Sequence, residues 1–368
     1  MSNGKGFSIV VVEEWGQIVG NDKERENMQD SSKIDFGRRE FLAALAVGTV
    51  GAVYGDAIPP LMKGLSRGDA YNLAPGRDGL KVRVTPYFDG GWTMYMFADR
   101  CNNVMLSTLF KSPSGKIVMI DGGWPKDADF LVPALKELGG TVDAWFLTHA
   151  HMDHYGALSD ILTRPEKEGL KIKRVVHKFL PPDFIVETEK SCYPFVTAFL
   201  NNLGNSGIIV ETPKVGQKWD FGEGLSFECL NDYDLTMKSN SINNSSICYR
   251  VMNGGKSIIV TGDIGWQMGD KLLKTVPKEK IKSDILFLSH HGQMGANKNF
   301  YEAVNPEICV WPTPQWLWDN DHGGKGYGSG KWLTNYVKCW MQDIGVKRQI
   351  LLTKDAALGP KNLPAVSA

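Results

Sequence analysis

The stretch Ala144-Trp145-Phe146-Leu147-Thr148-His149-Ala150-His151-Met152-Asp153-His154-Tyr155-Gly156-Ala157-Leu158 decides the fold. Its first four residues are a continuous apolar run, as expected of a strand buried on both faces. From Gly156 the apolar spacing becomes helical, so the residues between are expected in a strand-to-helix loop, the edge of an α/β sheet where ligands bind. That loop holds four metal-ligand side chains within six residues: His149, His151, Asp153 and His154. If strand geometry persists to His151, the pair His149 and His151 points to one side, and the turn carries Asp153 and His154 to a neighbouring point. Imidazoles favour zinc or iron, and a carboxylate also admits a harder ion such as manganese. Single loop histidines commonly do no more than solvate a turn; a cluster this dense asks for another explanation.

With 368 residues, 42% of them hydrophobic, and 41 Lys and Arg against 41 Asp and Glu, the chain can bury one large domain plus an appendage. The neutral balance gives no strong nucleic-acid signal, since neutralising many phosphates takes an excess of basic residues. Six cysteines (Cys101, Cys192, Cys229, Cys248, Cys309 and Cys339) show no C-x-x-C spacing, and several sit in apolar runs. Buried free thiols are therefore expected.

Residues 1–36 read as a polar leader, within which Phe7 to Val12 has the composition of a short strand. Residues 37–57 combine Arg38-Arg39 with Phe41-Leu42 and an Ala/Gly-rich apolar stretch from Ala43 to Tyr54, and resemble a twin-arginine export signal. The apolar part is shorter than the ~20 residues a spanning helix needs. Transient passage through an export machinery to a periplasmic or extracellular location is expected, rather than permanent anchorage. Pro59-Pro60, Gly64, Gly68 and Pro75-Gly76 mark 58–80 as a linker. The folded domain is expected over 81–355, followed by a tail, 356–368.

Within that domain, Val104–Phe110 and Lys116–Ile120 form an expected hairpin about Ser112-Pro113-Ser114-Gly115, ending in Asp121-Gly122-Gly123. Helices are expected near 127–138, 156–163, 193–202, 265–273 and 332–341. Further strands are expected at 171–176, 207–210, 225–230, 247–252, 256–260, 284–288, 308–311 and 349–352. His177 follows an apolar run without an acidic or cysteine neighbour and reads as structural. Two strand ends carry Thr261-Gly262-Asp263 and Ser289-His290-His291-Gly292. This strand-rich, helix-interleaved order argues an α/β protein of two packed sheets with helices outside.

The H-x-H-x-D-H loop after one apolar strand, T-G-D after a second and S-H-H-G after a third resemble the metallo-β-lactamase superfamily over residues 81–355. The resemblance implies a four-layer αβ/βα sandwich, the metallo-β-lactamase fold, and metal-dependent hydrolysis. It implies metal ligands His149, His151, Asp153, His154, the bridging Asp263 and His291, with His290 as a further candidate. Asp121 would brace the metal loop from behind, a plain Asp-Gly turn being the alternative. Asp153 would also orient the attacking water. The histidine that superfamily members usually place before the bridging aspartate is missing, and Asn243-Asn244-Ser245-Ser246 stands there instead. This departure resembles the subgroup of competence-channel nuclease-like domains and cell-wall choline-phosphate esterases, in which an Asn can replace that His; Asn244 is the supporting candidate. A carbonyl oxygen binds more weakly than imidazole, so the His149/His151 position should hold its ion less tightly or prefer a harder one. One or two Zn2+ ions are expected, with Mn2+ or Fe as alternatives.

The loop Trp311 to Gly324 offers His322 as an acid or substrate ligand. It also offers Trp316 and Trp318 as platforms for a sugar or a quaternary ammonium, unless they simply pack the loop. The expected activity is hydrolysis of a phosphodiester or phosphocholine-type ester, from a small molecule or the cell wall. The alternatives are a hydrolase of lactones or β-lactams, an iron-dependent sulfur oxygenase, and a catalytically silent cell-wall-binding scaffold.

Overall fold

The structure is a computed structural model that describes residues 92–98, 103–164, 169–293 and 295–352, with the backbone of strands 8–15 and 80–85. The segment 37–57, the linker up to residue 79 and the tail 356–368 lie outside the described residues. The chain separates into a unit of 1–15 with 71–368 and a unit of 16–70, and all described residues belong to the first.

In chain order the first strands are β1 (Ser8–Trp15), β2 (Leu80–Thr85), β3 (Thr93–Phe97), β4 (Thr108–Lys111), β5 (Ile117–Ile120), β6 (Thr141–Val142), β7 (Ala144–Phe146), β8 (Lys171–Ile172), β9 (Arg174–Val176) and β10 (Ile209–Glu211). Strands β6 and β8 form a small ribbon, and the rest form an eight-stranded sheet ordered β10-β9-β7-β5-β4-β3-β1-β2. A seven-stranded sheet follows in simple sequence: β11 (Lys218–Gly222), β12 (Leu225–Cys229), β13 (Tyr249–Asn253), β14 (Lys256–Val260), β15 (Ile285–Phe287), β16 (Ile308–Trp311) and β17 (Arg348–Leu351). Each sheet has antiparallel and parallel portions: β5, β7, β9 and β10, and the pair β1 and β3, are parallel in the first, and β14 to β17 in the second.

Alternation along the strands fixes which side chains lie between the sheets. In β5, Val118 and Ile120 face the second sheet, whereas Ile117 and Met119 face the helices Ala128–Glu137 and Met152–Ile161. In β7, Ala144 and Phe146 face inward and Trp145 outward. Helices Trp266–Thr275, Lys298–Val304 and Thr334–Ile344 bury Met268, Phe300 and Met341 with the second sheet. This is the expected sandwich, helix layers outside two sheets.

Phe146 joins the sheets. Its ring meets Trp219, Phe227 and Tyr249 edge-on at centroid distances of 5.1, 4.7 and 5.1 Å, a geometry that complements the negative ring faces. The Tyr249 hydroxyl donates to Leu147 O at 3.2 Å, one residue further along. The strand that feeds the ligand loop is thus locked to the opposite sheet just before the loop begins.

Two local features differ from the sequence expectation. The helix after the motif starts at Met152, four residues early, so Asp153 and His154 occupy its first turn. A carboxylate there meets the positive end of the helix, and first-turn amides need no intrahelical acceptor, so helix formation and ligand placement agree. The helix Pro182–Thr188 and the short helix Ser241–Asn244 carry too few apolar repeats to register as periodic. Cys192, Cys229, Cys248, Cys309 and Cys339 are free, and Cys229, Cys248 and Cys309 are buried. No described helix is long and apolar enough to cross a membrane. Replacing Phe146 by Ala should cost about 3–5 kcal/mol, measured as a lowered denaturant midpoint; an unchanged midpoint would show that the ring cluster does not join the sheets.

Candidate metal centre

The parallel strands of both sheets end at one place. After β5 comes Asp121, after β7 the segment 148–154, after β14 Asp263 and after β15 His290 and His291. Backbone bonds stitch these ends together: Ile247 N–H donates to Thr148 O at 2.8 Å, and His290 N–H to Gly262 O at 3.2 Å. Gly262 makes the approach feasible. It adopts φ +54°, and a Cβ there would lie 2.8 Å from Thr148 Cβ and 2.9 Å from Ser246 Cβ.

The convergent ends bring Asp153, His154, Asp263 and His291 into one buried cluster whose ligand atoms all lie within 4.8 Å of one another. His291 Nε2 is 3.0 Å from Asp153 Oδ2 and 3.3 Å from Asp263 Oδ2. His154 Nε2 is 3.3 Å from Asp263 Oδ1 and 3.6 Å from Asp153 Oδ2. Next to this set, His149 Nε2 lies 3.9 Å from Asp263 Oδ2 and 3.2 Å from His151 Nδ1. Asp263 therefore stands between a four-ligand position and a second one marked by His149 and His151.

Each of three imidazoles has its outer nitrogen occupied by an acceptor. Asp121, fully buried, accepts Thr148 N–H at 2.8 Å, Thr148 Oγ1–H at 2.7 Å and His154 Nδ1–H at 2.7 Å. Thr148 Oγ1 in turn lies 3.1 Å from His149 Nδ1. His291 Nδ1–H donates to Pro312 O at 2.9 Å, and Thr313 Oγ1–H donates to His291 O at 2.6 Å. Protons held on these Nδ1 atoms leave Nε2 of His149, His154 and His291 facing inward as lone-pair donors.

His290 is placed differently. Its Nε2 is 3.9 Å from Asp263 Oδ2 and 3.3 Å from Asn243 Nδ2, which points a donor at it, and its side chain retains 17% exposure. His290 and His291 both adopt left-handed backbone, φ 51° and 55°, strain of about 1–3 kcal/mol per residue that is found where function dictates geometry. Asn244 is turned from the cluster: Oδ1 accepts Gly265 N–H at 3.1 Å and Nδ2 donates to Ser239 O at 3.1 Å. Its neighbour Asn243 is the amide at the site, with a buried Oδ1 that has no hydrogen-bond partner. The ring face of Trp318 is already covered by Lys338 Nζ at 4.0 Å, an amine whose burial lowers its pKa to about 7. Trp316 packs on Trp332 at 5.1 Å, and His322 is exposed with its ring 5.9 Å from Trp332. Glu189, which no spacing in the sequence singles out, lies 3.2 Å from His151 Nε2.

The donor set fits a metal. His154 Nε2 is buried and lacks a hydrogen-bond partner beside the carboxylates of Asp153 and Asp263, which a cation would satisfy. Electrostatics of the metal-free centre point the same way. Burial and the charge of His154 hold His149 well below its usual value, keeping it neutral. Burial disfavours charge on His291 as well, but the carboxylates of Asp263 and Asp153 outweigh it and lift the group to about 9. His154 is raised well above normal against its burial by Asp263, Asp153 and Asp121. Burial alone would raise Asp263, yet His291 and His154 hold it well below the carboxylate range. Protons on His154 and His291 balance the two carboxylates where cations would do so.

The sequence profile of the metallo-beta-lactamase superfamily matches residues 105–299, and the chain belongs to that superfamily of metal-dependent hydrolases. Among curated proteins it is similar to ComE operon protein 3 of Bacillus subtilis, 30% identical over 182 residues, 49% of this chain and 21% of that protein. It is also similar to competence protein ComA of Neisseria gonorrhoeae, 33% identical over 95 residues, 26% of this chain and 13% of that protein. The chain thus spans about a fifth or less of the length of these relatives. Similar solved structures include unliganded yeast PDE1, TM-score 0.44 and 10% identity over 73% of this chain and 98% of that one. Another is YhfI from Bacillus subtilis, a metallo-beta-lactamase fold protein, TM-score 0.43 and 12% identity over 69% and 90%.

Protonation of His291 links stability to pH. A folded-state value of about 9, above the ordinary 6.5, adds stability that is complete below 6.5 and lost as pH rises through 9. Chelator-treated protein should therefore melt at a lower temperature at pH 9 than at pH 6.5, with the metal-loaded protein showing less of the drop. Equal melting of the chelated protein at both values would mean that His291 does not carry the extra proton.

Proposed function

We propose that the protein hydrolyses a phosphodiester, with a small-molecule or cell-wall ester as substrate, using one or two divalent cations of which zinc is the first choice and manganese or iron the alternatives. The observation that carries this reading is Asp263, buried between the set Asp153, His154 and His291 and the separate pair His149 and His151. An arrangement with two adjoining positions suits a substrate that is anionic at the attacked centre and develops further charge on a leaving oxygen. Bound divalent cations supply Lewis acidity there, lowering the pKa of a water and neutralising that charge.

The chain's own groups orient and exclude. Asp153, held below its usual range by His154 and His291 against burial, stays ionised and is the acceptor for a proton of the attacking water. His290, partly exposed beside the Asn243 amide, presents a polar rim to a non-bridging substrate oxygen. The buried flanks, with Asp121, Thr148 and His149 fully inaccessible, keep solvent from the back of the centre. A plain phosphodiester is favoured over a choline ester because the face of Trp318 is already filled by Lys338.

The test is metal analysis of purified protein, then turnover of bis(p-nitrophenyl) phosphate beside a β-lactam, a lactone and a choline-phosphate ester. Turnover of the diester alone is expected, and Asp263→Ala should reduce it to the level of metal-depleted protein while the thermal transition stays cooperative. Preferential turnover of the lactone or β-lactam, or full activity without Asp263, would sink the reading.

We infer further that residues 37–57 direct export by a twin-arginine route, on the strength of Arg38-Arg39, Phe41-Leu42 and the apolar stretch that follows. Replacing Arg38 and Arg39 together by Lys should leave the protein in the cytoplasmic fraction; unchanged export of this variant would refute the route.

A further inference from the structure

Accepting His149 and His151 as one metal position, we propose that Glu189 is a positioning residue that sets the tautomer of His151 and so decides whether that position can fill. A neutral imidazole has one protonated and one bare nitrogen, and only the bare one binds a metal. His149, His154 and His291 each direct Nε2 inward. His151 is the exception: its inward atom is Nδ1, 3.2 Å from His149 Nε2, and its outward atom is Nε2, 3.2 Å from Glu189 Oε2. A carboxylate only accepts, so the proton is placed on Nε2 and Nδ1 is left bare.

Glu189 is itself fixed. Its other oxygen, Oε1, accepts Ser241 Oγ–H at 2.9 Å and Ile242 N–H at 2.8 Å. Both donors come from the helix Ser241–Asn244, which also carries Asn243 with its unpartnered Oδ1. Glu189 N–H closes the helix Pro182–Thr188 by donating to Ile185 O at 2.8 Å. One carboxylate thereby ties His151 to the segment standing where the superfamily's further histidine is missing. With no third imidazole at that position, a wrong tautomer at His151 would leave His149 as its sole imidazole donor.

Cys192 occupies the same corner, its sulfur within 4.8 Å of the ligand atoms of His151 and Glu189. A rival arrangement would place an ion directly on His151 Nε2, Glu189 and Cys192. The two hydrogen bonds already on Glu189 Oε1 and the inward direction of Nδ1 favour the positioning role.

Glu189→Gln separates these possibilities because it preserves shape and inverts the hydrogen bonding. The Ile242 N–H requires an acceptor, and Ser241 Oγ–H can turn to Thr188 Oγ1 at 2.7 Å, so the glutamine oxygen sits toward the amide and its NH2 faces His151 Nε2. A donor there moves the imidazole proton to Nδ1. In the metal-free full-length protein, at a pH high enough to remove the second proton that, against burial, Cys192 and Glu189 favour on His151, 15N shifts of the His151 ring should change from the Nε2–H to the Nδ1–H pattern. In metal titrations the more weakly held ion should lose about 100-fold in affinity while the tighter one is retained, the upper range for losing an outer-shell partner. Glu189→Ala, which offers His151 neither donor nor acceptor, should lose about ten-fold, and Cys192→Ser should bind both ions normally. A Gln variant that keeps the Nε2–H pattern overturns the proposal, as does a Cys192→Ser variant that loses the same ion. The ring spectra are recorded without metal or substrate, so they fail or succeed independently of the phosphodiesterase reading.

Discussion

A single buried carboxylate underlies the rest of this centre. Asp121 has no contact with solvent and accepts three hydrogen bonds from two residues of the metal loop, Thr148 and His154. Burying a charge is costly unless donors surround it, and charge-assisted bonds to such a group are among the stronger ones in proteins. The carboxylate is thus stable only if the loop closes over it, and the loop takes its shape only if the carboxylate is there. Asp121 follows β5 and the loop follows β7, parallel neighbours in register through Ile120 and Phe146. Strand pairing places the acceptor before the ligands have any metal to organise them.

From that constraint the assembly of the two half-sites follows. The first sheet supplies five of the polar groups, Asp121, His149, His151, Asp153 and His154, and the second supplies Asp263, His290 and His291. Their approach is limited by sterics rather than by chemistry. Gly262 leaves room for Thr148 and Ser246, and a side chain there would push the two strand ends apart. The left-handed pair His290 and His291 is the other concession. Adjacent residues in ordinary extended backbone would point their rings to opposite faces; here a tight turn keeps His291 on the cluster and His290 on its rim, only 6.3 Å apart between ring centres.

The fold was legible because its decisive signals are short-range. Four apolar residues followed by H-x-H-x-D-H, and T-G-D and S-H-H-G each closing a strand, locate the ligands by their position at strand ends. The start of the motif helix was misplaced because Asp153 and His154 spend their side chains on the site and break the apolar stripe between Met152 and Tyr155, which pack into the core. The choice between Asn243 and Asn244 was beyond the sequence, since adjacent identical side chains on a helix one turn long differ only in direction. Glu189 left no trace either: it lies 38 residues from His151, and its role exists only through the packing of two short helices. Trp318 illustrates the opposite error, an aromatic residue whose neighbours in sequence suggested a ligand but whose ring is occupied by Lys338, 20 residues onward.

The two metal positions differ in charge as well as in ligand number, and this bears on how the centre operates. Asp153 and a share of Asp263 would give one position more carboxylate charge, beside His154 and His291. The other has His149, held neutral by burial and the charge of His154, with His151 and a share of Asp263. An ion there keeps net positive charge, in a buried setting where charge interacts strongly. In the proposed phosphodiesterase reading, that excess would attract the anionic group of the substrate. The weaker position is therefore the one suited to recognise substrate, which explains why a lost imidazole can be compatible with function.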